Sequence, residues 1–369
     1  MMKHFDYIVI GGGIAGLLSA WELREYNTLL VDQHGILTSG ASASAGAFLF
    51  PKVGYDTSYT RFINSAILMA LDFYEKMGID THKEGVCILP RDEKDIEKFK
   101  KYEKEIKLPF EKKFGGFFFK DAGVVDPEDV KEKISVDHEI KRIENISFED
   151  GLWNVGGYKG KNVILAVGHE KIIDIPYLNI RGIWGERIEG GGEIVKGYGF
   201  ETENGRLPCH FHKNCSLSTV DGVIKIGATH KRNCPECREN EEEARLLLQK
   251  AGEIAEIKNF SINKIKGGFR SASVDYFPVV GKIIDTDKTL SKNPKTVKGE
   301  IPEFEFIKGL YVINGMGGRG FSNAVYCSKV LKDVLLYDKN PGVLGNERMF
   351  VKWARKHGEK YLKEKNAKS

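Results

Sequence analysis

The sequence predicts an α/β protein with a Rossmann-type parallel sheet built from both ends of the chain. Residues 5–10 have the apolar pattern of a buried strand, 14–25 that of a helix and 28–32 that of a second strand, which together form a βαβ unit. Residues 310–314 repeat the strand pattern before a glycine-rich turn and a helix. The stretch 178–230 changes to short strands broken by glycines and polar turns. We therefore expect a second, mixed or antiparallel β-domain inserted into a discontinuous first domain.

The remaining elements are predicted from local periodicity and turn residues. In chain order they are a helix at 59–76, a helix at 92–113, a strand at 161–167, a hairpin turn at Asp221-Gly222, a helix at 240–256 and a helix from the glycines at 315–320 to about 336. The segment 92–113 is dense in Lys and Glu with apolar residues at helical spacing, which is typical of a solvated surface helix. We expect the phenylalanines between 99 and 119 to pack in a core.

These patterns predict two domains and a tail, in agreement with a length of 369 residues at roughly 150 residues per domain. The first domain comprises 1–78, 122–172 and 266–345, the second comprises 79–121 and 173–265, and the tail comprises 346–369. The tail carries the basic excess of the chain, with eight Lys or Arg against three Glu from Glu347 to Ser369.

Composition excludes several classes of protein. With 41 Gly and 11 Pro the chain is neither collagen-like nor of low complexity. A run of about 18 apolar residues is absent from the sequence, and the N-terminus lacks the pattern of a secretory signal. We therefore expect a soluble cytoplasmic protein without a membrane partner. In that compartment its six cysteines are expected to be thiols or metal ligands rather than disulfides.

The segment Gly11-Gly12-Gly13-Ile14-Ala15-Gly16 has the spacing G-x-G-x-x-G directly after a strand and at the start of a helix. In this pattern Gly11 allows the tight turn, Gly13 lets the backbone approach a pyrophosphate, and Gly16 permits close packing of helix and strand. The helix N-terminus offers free N–H groups to the phosphates. Asp32 ends the next strand, where a carboxylate accepts hydrogen bonds from an adenosine ribose. The sequence therefore predicts a dinucleotide site.

Three further segments favour FAD over NAD as the dinucleotide. Small residues from Gly40 to Ala47 could lie against a flat ring, Gly168 closes a second buried strand, and a glycine-rich turn opens a helix whose N-terminus could face the flavin. Besides the first motif, the predicted cofactor-binding residues are Gly40, Ala41, Ser42, Gly46, Ala47, Gly168, Gly317, Gly318, Arg319, Gly320 and Phe321. An ordinary tight turn is the alternative at each place.

The sequence resembles the glycine oxidase/D-amino-acid oxidase family of flavoproteins over nearly the whole chain. The segments that carry the resemblance are Gly11–Gly16, Gly40-Ala41-Ser42, Gly46–Pro51, Leu165–His169, Ile226–His230, Gly268–Gly281, Gly317–Gly320, Asn346–Arg348 and Trp353–Lys356. Within the family it is most similar to the FAD-dependent oxidoreductase domain of the bifunctional tRNA wobble-uridine modification enzymes, but it lacks their methyltransferase half. The residue after Gly268 is not a cysteine, so the resemblance implies non-covalent FAD.

The resemblance to the tRNA branch implies oxidation of 5-carboxymethylaminomethyl-(2-thio)uridine at the wobble position. An N-substituted glycine of this kind is oxidised at its α-carbon to an imine, and water then releases glyoxylate and the aminomethyl nucleoside. Methylation of that product would be left to a separate methyltransferase. Two alternatives remain open at this point: a small-molecule amine oxidase acting on glycine, sarcosine or a D-amino acid, and a flavin-bound RNA-binding protein without catalysis.

Two arginines are the candidate catalytic residues. Arg270 is the candidate for the substrate carboxylate, because a guanidinium matches a carboxylate with two parallel hydrogen bonds, and the family has an arginine at this place. A structural ion pair with Asp275 is its alternative role. Arg319 could support the flavin, touch the substrate or cap a loop carbonyl. We assign no catalytic base, since lone histidines such as His169 and His230 are more often structural.

The tail interleaves its cations with Phe350, Trp353 and Tyr361. Cations bind phosphates and aromatic rings stack on bases, so this pattern is consistent with a tRNA footprint. A frayed, solubilising C-terminal helix is the alternative.

Cysteines 209 and 215 precede the predicted hairpin turn at Asp221-Gly222, and Cys234 and Cys237 follow it. A two-residue turn would set Cys209 opposite Cys234. These spacings give the hypothesis of a structural Zn²⁺ site formed by Cys209, Cys215, Cys234 and Cys237, with His210 or His212 as substitutes for a cysteine. Unlinked thiols are the alternative.

Overall fold

Helices and strands alternate at both ends of the chain in the computed structural model, which describes residues 3–202 and 204–367. The helices are α1 Ile14–Glu22, α2 Gly40–Ala43, α3 Ser58–Lys76, α4 Glu93–Tyr102, α5 Pro127–Lys133, α6 Glu241–Gly252, α7 Thr286–Lys292, α8 Gly320–Tyr337 and α9 Glu347–Asn366. The strands are β1 His4–Ile10, β2 Thr28–Asp32, β3 Phe48–Leu49, β4 Val86–Ile88, β5 Glu111–Lys113, β6 Gly116–Phe119, β7 Gly123–Val124, β8 His138–Ile140, β9 Ile146–Glu149, β10 Leu152–Val155, β11 Tyr158–Leu165, β12 Ile180–Gly197, β13 Phe200–Glu201, β14 His210–His212, β15 Ser216–Val220, β16 Val223–Gly227, β17 Ala255–Ser273, β18 Val279–Ile284 and β19 Phe306–Asn314.

The first sheet is the Rossmann-type sheet that the sequence predicts. Its strand order is β18-β19-β11-β1-β2-β8, with β10 and β9 added beside β11. Ile8 of β1 is in parallel register with Leu29 of β2 and Val163 of β11. Alternate side chains enter opposite cores, because Val9 packs with α1, α3 and α8 whereas Ile8 packs on the side of α9. Helices therefore cover both faces, and the predicted α/β class is confirmed.

The second sheet is mixed and has the order β13-β12-β16-β15-β14-β4-β6-β5, with β17 paired to β12. The prediction of only short strands at 178–230 is wrong, because β12 runs for 18 residues against the whole length of β17. Its glycines mark close approaches rather than turns: a Cβ on Gly190 would lie 2.1 Å from the carbonyl oxygen of Ser261. The hairpin at Asp221-Gly222 is confirmed by the pairing of Val220 with Val223.

The predicted domain limits stay a prediction. Strand β17 runs across the limit predicted at residue 266.

Helices α1 and α6 end earlier than predicted, at Glu22 and Gly252. The chain turns after α1 to enter β2 and after α6 to enter β17. Among the described residues, none of the helices has the length and apolarity needed to cross a membrane.

The helix predicted for 92–113 is wrong beyond Tyr102, where α4 ends. Pro109 cannot continue a helical hydrogen-bond ladder, and the chain re-enters the sheet as β5 and β6. Phe99 of α4 stacks on Phe117 of β6 with ring centroids 4.8 Å apart, and Phe110 packs edge-on against the same ring. The expected aromatic core is therefore confirmed.

The tail forms α9 and docks on the first sheet. Phe350 and Ala354 are completely buried, and Trp353 and Tyr361 are half-buried against the same core. The prediction that these aromatic residues stack on bases is wrong for Phe350, and the alternative of a frayed helix is also wrong. The helix is held in place by its apolar face, which leaves cations such as Lys356 on the exposed face.

Candidate active site

A cavity of about 790 Å³ lies between the two sheets. Its walls come from the carboxyl ends of β1, β2, β11 and β19, from α2 and the start of α8, and from the facing side of β12, β14, β15, β16 and β17. Ligands of open α/β sheets bind at the carboxyl ends of the strands, so this is the expected place for a site.

The first glycine motif forms a tight cradle at one end of the cavity. Gly11 has a φ of +114°, and a Cβ there would lie 2.4 Å from the carbonyl oxygen of Ala166. A Cβ on Gly16 would lie 1.8 Å from the carbonyl oxygen of Gly11. Neither position can carry a side chain, which brings α1 against the strand ends and leaves Gly13 at the cavity wall.

Asp32 lies at the end of β2 and lines the same end of the cavity. Its carboxylate accepts hydrogen bonds from the backbone N–H groups of Gly12 at 2.7 Å, His34 at 2.7 Å and Gly35 at 3.0 Å. These bonds fix the carboxylate beside the cradle, and a carboxylate has further lone pairs for a ligand hydroxyl.

The small-residue segment 40–47 forms α2 and an extended strip along the cavity. The Ser42 hydroxyl accepts a hydrogen bond from the N–H of Ile14 at 3.0 Å, which joins the strip to the cradle. A Cβ on Gly268 of β17 would lie 2.5 Å from the carbonyl carbon of Gly40. The strip therefore lies directly against β17, and the close approach leaves no room for a side chain at Gly268.

The second glycine-rich turn lies at the opposite wall, between β19 and α8. Gly317 has a φ of +62°, and the space that a Cβ would occupy at Gly317 or Gly318 is open. Asn314 donates to the carbonyl oxygen of Gly168 at 2.7 Å, which ties together the ends of β11 and β19. The start of α8 thus faces the cavity, where its N-terminal dipole favours negative charge.

The structure brings nearly all of the predicted site residues to this one cavity. The residues that line it are Gly11, Gly13, Ile14, Ala15, Asp32, Gly40, Ala41, Ser42, Gly46, Ala47, Gly168, Arg270, Gly317, Gly318, Arg319, Gly320 and Phe321. Gly16 lies behind the wall and supports Gly11.

Arg270 extends from β17 into the cavity and packs over Gly185. One of its guanidinium nitrogens donates to the carbonyl oxygen of Thr229 at 3.2 Å, and no carboxylate of the described residues lies within ion-pairing distance. The alternative role of Arg270, a structural ion pair with Asp275, is wrong, because Asp275 pairs with Arg348 at 2.8 Å. Burial lowers the pKa of Arg270.

Arg319 lies across the cavity wall next to Phe50. It donates to the carbonyl oxygen of Phe50 at 2.6 Å, and its guanidinium carbon lies 4.6 Å from the centre of that ring. Burial lowers the pKa of Arg319 to about 10. Capping a loop carbonyl is therefore one role that the structure shows for Arg319, while the same side chain also lines the cavity.

His212 and Tyr59 line the cavity and were not assigned to it from the sequence. The His212 ring lies 4.9 Å from that of Phe50, and its Nδ1 is 2.9 Å from the Ser216 hydroxyl. Burial, together with the charges of Arg319 and Arg91, lowers the pKa of His212 to about 4. Burial also raises the pKa of Tyr59. Both side chains are therefore neutral at neutral pH.

The structure does not support the hypothesis of a zinc site at Cys209, Cys215, Cys234 and Cys237. Cys209 and Cys215 are buried free thiols, whereas Cys234 and Cys237 form a disulfide on a loop. Within 3–202 and 204–367, no three His, Cys, Asp or Glu side chains come together as a metal site. The hairpin register holds only back to Ser216, where the chain turns into β14, so Cys209 never lies opposite Cys234.

Comparisons with known proteins agree with this geometry. Residues 6–334 match the family model described as FAD dependent oxidoreductase. The tRNA 5-methylaminomethyl-2-thiouridine biosynthesis bifunctional protein MnmC of Legionella pneumophila is 24% identical over 353 residues, which cover 85% of this chain and 52% of that protein. The chain thus spans about half the length of the curated relatives it matches.

Solved structures of the same fold include glycine oxidase from Geobacillus kaustophilus, with a TM-score of 0.72 at 16% identity, covering 92% of this chain and 96% of that one. L-proline dehydrogenase from P. horikoshii has a TM-score of 0.71 at 16% identity, covering 94% and 98%. Because the family model spans most of the sequence and the glycine cradle fits a dinucleotide, the chain belongs to the family of FAD dependent oxidoreductases.

Proposed function

We propose that this protein uses FAD to remove the carboxymethyl group, as glyoxylate, from 5-carboxymethylaminomethyl-(2-thio)uridine at the wobble position of tRNA. The observation that carries the proposal is Arg270, a half-buried cation that faces the cavity without a carboxylate partner among the described residues. Such a cation is suited to the carboxylate of an N-substituted glycine. The tRNA part of the proposal is supported by the MnmC relatives.

The glycine cradle and α1 would hold the pyrophosphate of FAD, and Asp32 would accept from the ribose. The strip 40–47 and the turn at 317–320 would hold the flavin between them. When bound, FAD supplies the two-electron oxidation of the CH–NH group. The absence of a cysteine after Gly268 supports a non-covalent attachment.

The protein's own contribution is to bind, orient and set the charge of the substrate. A bidentate contact with Arg270 would fix the carboxylate and so position the α-carbon. The positive charges of Arg270 and Arg319 would lower the pKa of a bound amine and favour its neutral form, which is the form that can be oxidised. The neutral ring of His212 would add no further charge.

A second candidate is oxidation of a free amine such as glycine, sarcosine or a D-amino acid. It is supported by the same cavity and Arg270, because the carboxylate of these substrates has the same geometry. It is also supported by the burial of Phe350 in α9, which removes one of the tail's aromatic rings as a contact for RNA. In the first candidate reaction the aminomethyl product would be a substrate for a methyltransferase.

Glyoxylate release distinguishes the two candidates. The enzyme with FAD is incubated with sarcosine or with tRNA from cells that lack this activity, and the tRNA is digested and analysed by mass spectrometry. We expect glyoxylate together with the aminomethyl nucleoside from tRNA. Release from sarcosine alone would refute the tRNA proposal and favour the second candidate.

A further inference from the structure

Tyr276 is an exposed aromatic residue on the turn between β17 and β18. Its side chain is 61% exposed, although tyrosine is a residue that proteins usually bury at least in part. Its φ of +69° lies in the left-handed region, which is costly for a bulky L-residue. A strained backbone that presents a ring to solvent is a reason to look for a function.

The turn is held firmly on both sides of Tyr276. The Ser273 hydroxyl donates to the carbonyl oxygen of Phe277 at 2.6 Å, and Arg348 donates to the carbonyl oxygens of Phe277 and Pro278, each at 3.0 Å. Arg348 also pairs with Asp275 at 2.8 Å. These contacts fix the backbone conformation of Tyr276. Its ring is therefore exposed because the turn is held in this conformation.

The position of Tyr276 links the surface to the cavity. Its ring centroid lies 6.3 Å from that of Tyr59, and Tyr59 lines the cavity. The ammonium group of Lys52 lies 5.7 Å from the centre of the Tyr59 ring. Among the described residues Lys52 has no carboxylate within ion-pairing distance. An exposed ring beside a second ring that lies near a cation is suited to an unpaired nucleotide, because bases stack on aromatic rings and cations bind phosphates.

We infer that Tyr276 stacks on an unpaired nucleotide next to the target uridine of the RNA substrate. The inference rests on the proposed function, because only a target that is part of a polynucleotide has such a neighbour. The carboxymethylaminomethyl group of the target uridine has to reach Arg270 inside the cavity. The adjoining nucleotides of the tRNA loop then stay outside, at the surface formed by Tyr276 and Tyr59. A free amine or nucleoside has no neighbouring nucleotide on which Tyr276 could stack.

The test compares Tyr276→Ala with Tyr276→Phe, which keeps the ring. Tyr337→Ala is the matched control, because Tyr337 is 66% exposed at the far end of α8, about 25 Å along the helix from the cavity. Each protein with FAD is assayed for glyoxylate release from undermodified tRNA and from the free 5-carboxymethylaminomethyluridine nucleoside. The Kd for the same tRNA and the thermal unfolding are measured in parallel.

We expect Tyr276→Ala to lower kcat/KM for tRNA about 5- to 150-fold and to raise the Kd for tRNA by a similar factor, which corresponds to the loss of one stacked base. Its activity on the free nucleoside and its unfolding should match the unsubstituted protein. Tyr276→Phe and Tyr337→Ala should behave like the unsubstituted protein on both substrates.

The outcomes separate this inference from the proposed function. If the unsubstituted protein releases no glyoxylate from tRNA, the proposed function fails. If it acts on tRNA and Tyr276→Ala does so equally well, the proposed function stands and the stacking role is refuted. Equal losses on tRNA and nucleoside would also refute it, since Tyr276 would then act on the shape of the cavity.

Discussion

Replacing Arg270 by Met removes the charge that the proposed function depends on and keeps a side chain of similar length. Arg270 gives one hydrogen bond, at 3.2 Å, to the carbonyl oxygen of Thr229, and no carboxylate of the described residues neutralises it. Its lowered pKa reflects the free energy that burial costs this charge. Binding of a substrate carboxylate would offset that cost.

The magnitude follows from removing one partner of a buried ion pair, which costs about 3–5 kcal/mol. At about 1.4 kcal/mol per tenfold change, Arg270→Met should lower kcat/KM by about 100- to 4,000-fold. The free energy of unfolding should stay the same or rise, because Arg270→Met removes a charge whose burial is not compensated by a carboxylate. We therefore expect Arg270→Met to lose activity without losing stability.

Arg348→Met is the matched control, because Arg348 is partly buried and is paired with Asp275 and three backbone carbonyl groups. Losing those contacts should lower the free energy of unfolding by about 2–3 kcal/mol. Glyoxylate release and denaturant unfolding of both variants provide the measurement. The reasoning about Arg270 is refuted if Arg270→Met keeps kcat/KM within threefold, or if it loses as much stability as Arg348→Met. A protein that binds RNA without catalysis would show no glyoxylate release in either variant.

Three further predictions concern protonation, the C-terminal helix and the cysteines. Because the pKa of His212 is about 4 in the folded protein and about 6.5 in an unfolded chain, the unfolded state binds the proton more readily, and the free energy of unfolding should fall as the pH decreases from about 6.5 to about 4. His212→Gln should remove up to about 3 kcal/mol of that fall in denaturant titrations, and an unchanged slope would contradict the low pKa. Phe350→Ala should lower the free energy of unfolding by about 3–5 kcal/mol, because Phe350 is completely buried. Lys356→Ala on the exposed face of α9 should change it by less than about 0.5 kcal/mol. Equal effects of the two variants would mean that α9 is not docked. Thiol titration in denaturant without reductant should give four thiols per chain, with zinc below stoichiometry, and reduction should raise the count to six; six before reduction would exclude the disulfide.

The nucleotide-binding half of the site could be predicted from the sequence because its signals are local. The motif Gly11–Gly16 and Asp32 lie within one βαβ unit, and steric exclusion makes glycine obligatory where the carbonyl groups of Gly11 and Ala166 approach. The turn at 317–320 is read in the same way, from a strand, a run of glycines and a helix that follow each other along the chain. Local order of this kind brings residues together without knowledge of the rest of the fold.

The second sheet could be predicted less well because its contacts are not local. Glycines in β12 interrupt the apolar pattern that marks a strand, and their purpose is visible only once β17 lies against them. The zinc hypothesis extended a correct hairpin register beyond Ser216, where the chain turns back. The basic tail suggested a nucleic-acid footprint, but the fate of its aromatic residues depends on the apolar face of a sheet formed elsewhere in the sequence.

On the face of the second sheet that looks into the cavity, the cations differ in whether a carboxylate neutralises them. Arg187 lies on this face and is paired with Glu189, and Lys225 is paired with Asp126. Strand periodicity puts these polar side chains on one side while the alternate residues pack under α6. A carboxylate thus neutralises both Arg187 and Lys225. Among the described arginines that line the cavity, Arg270 and Arg319 have no carboxylate partner. A cavity with this balance attracts an anion, and a carboxylate that binds there supplies the missing counter-charge.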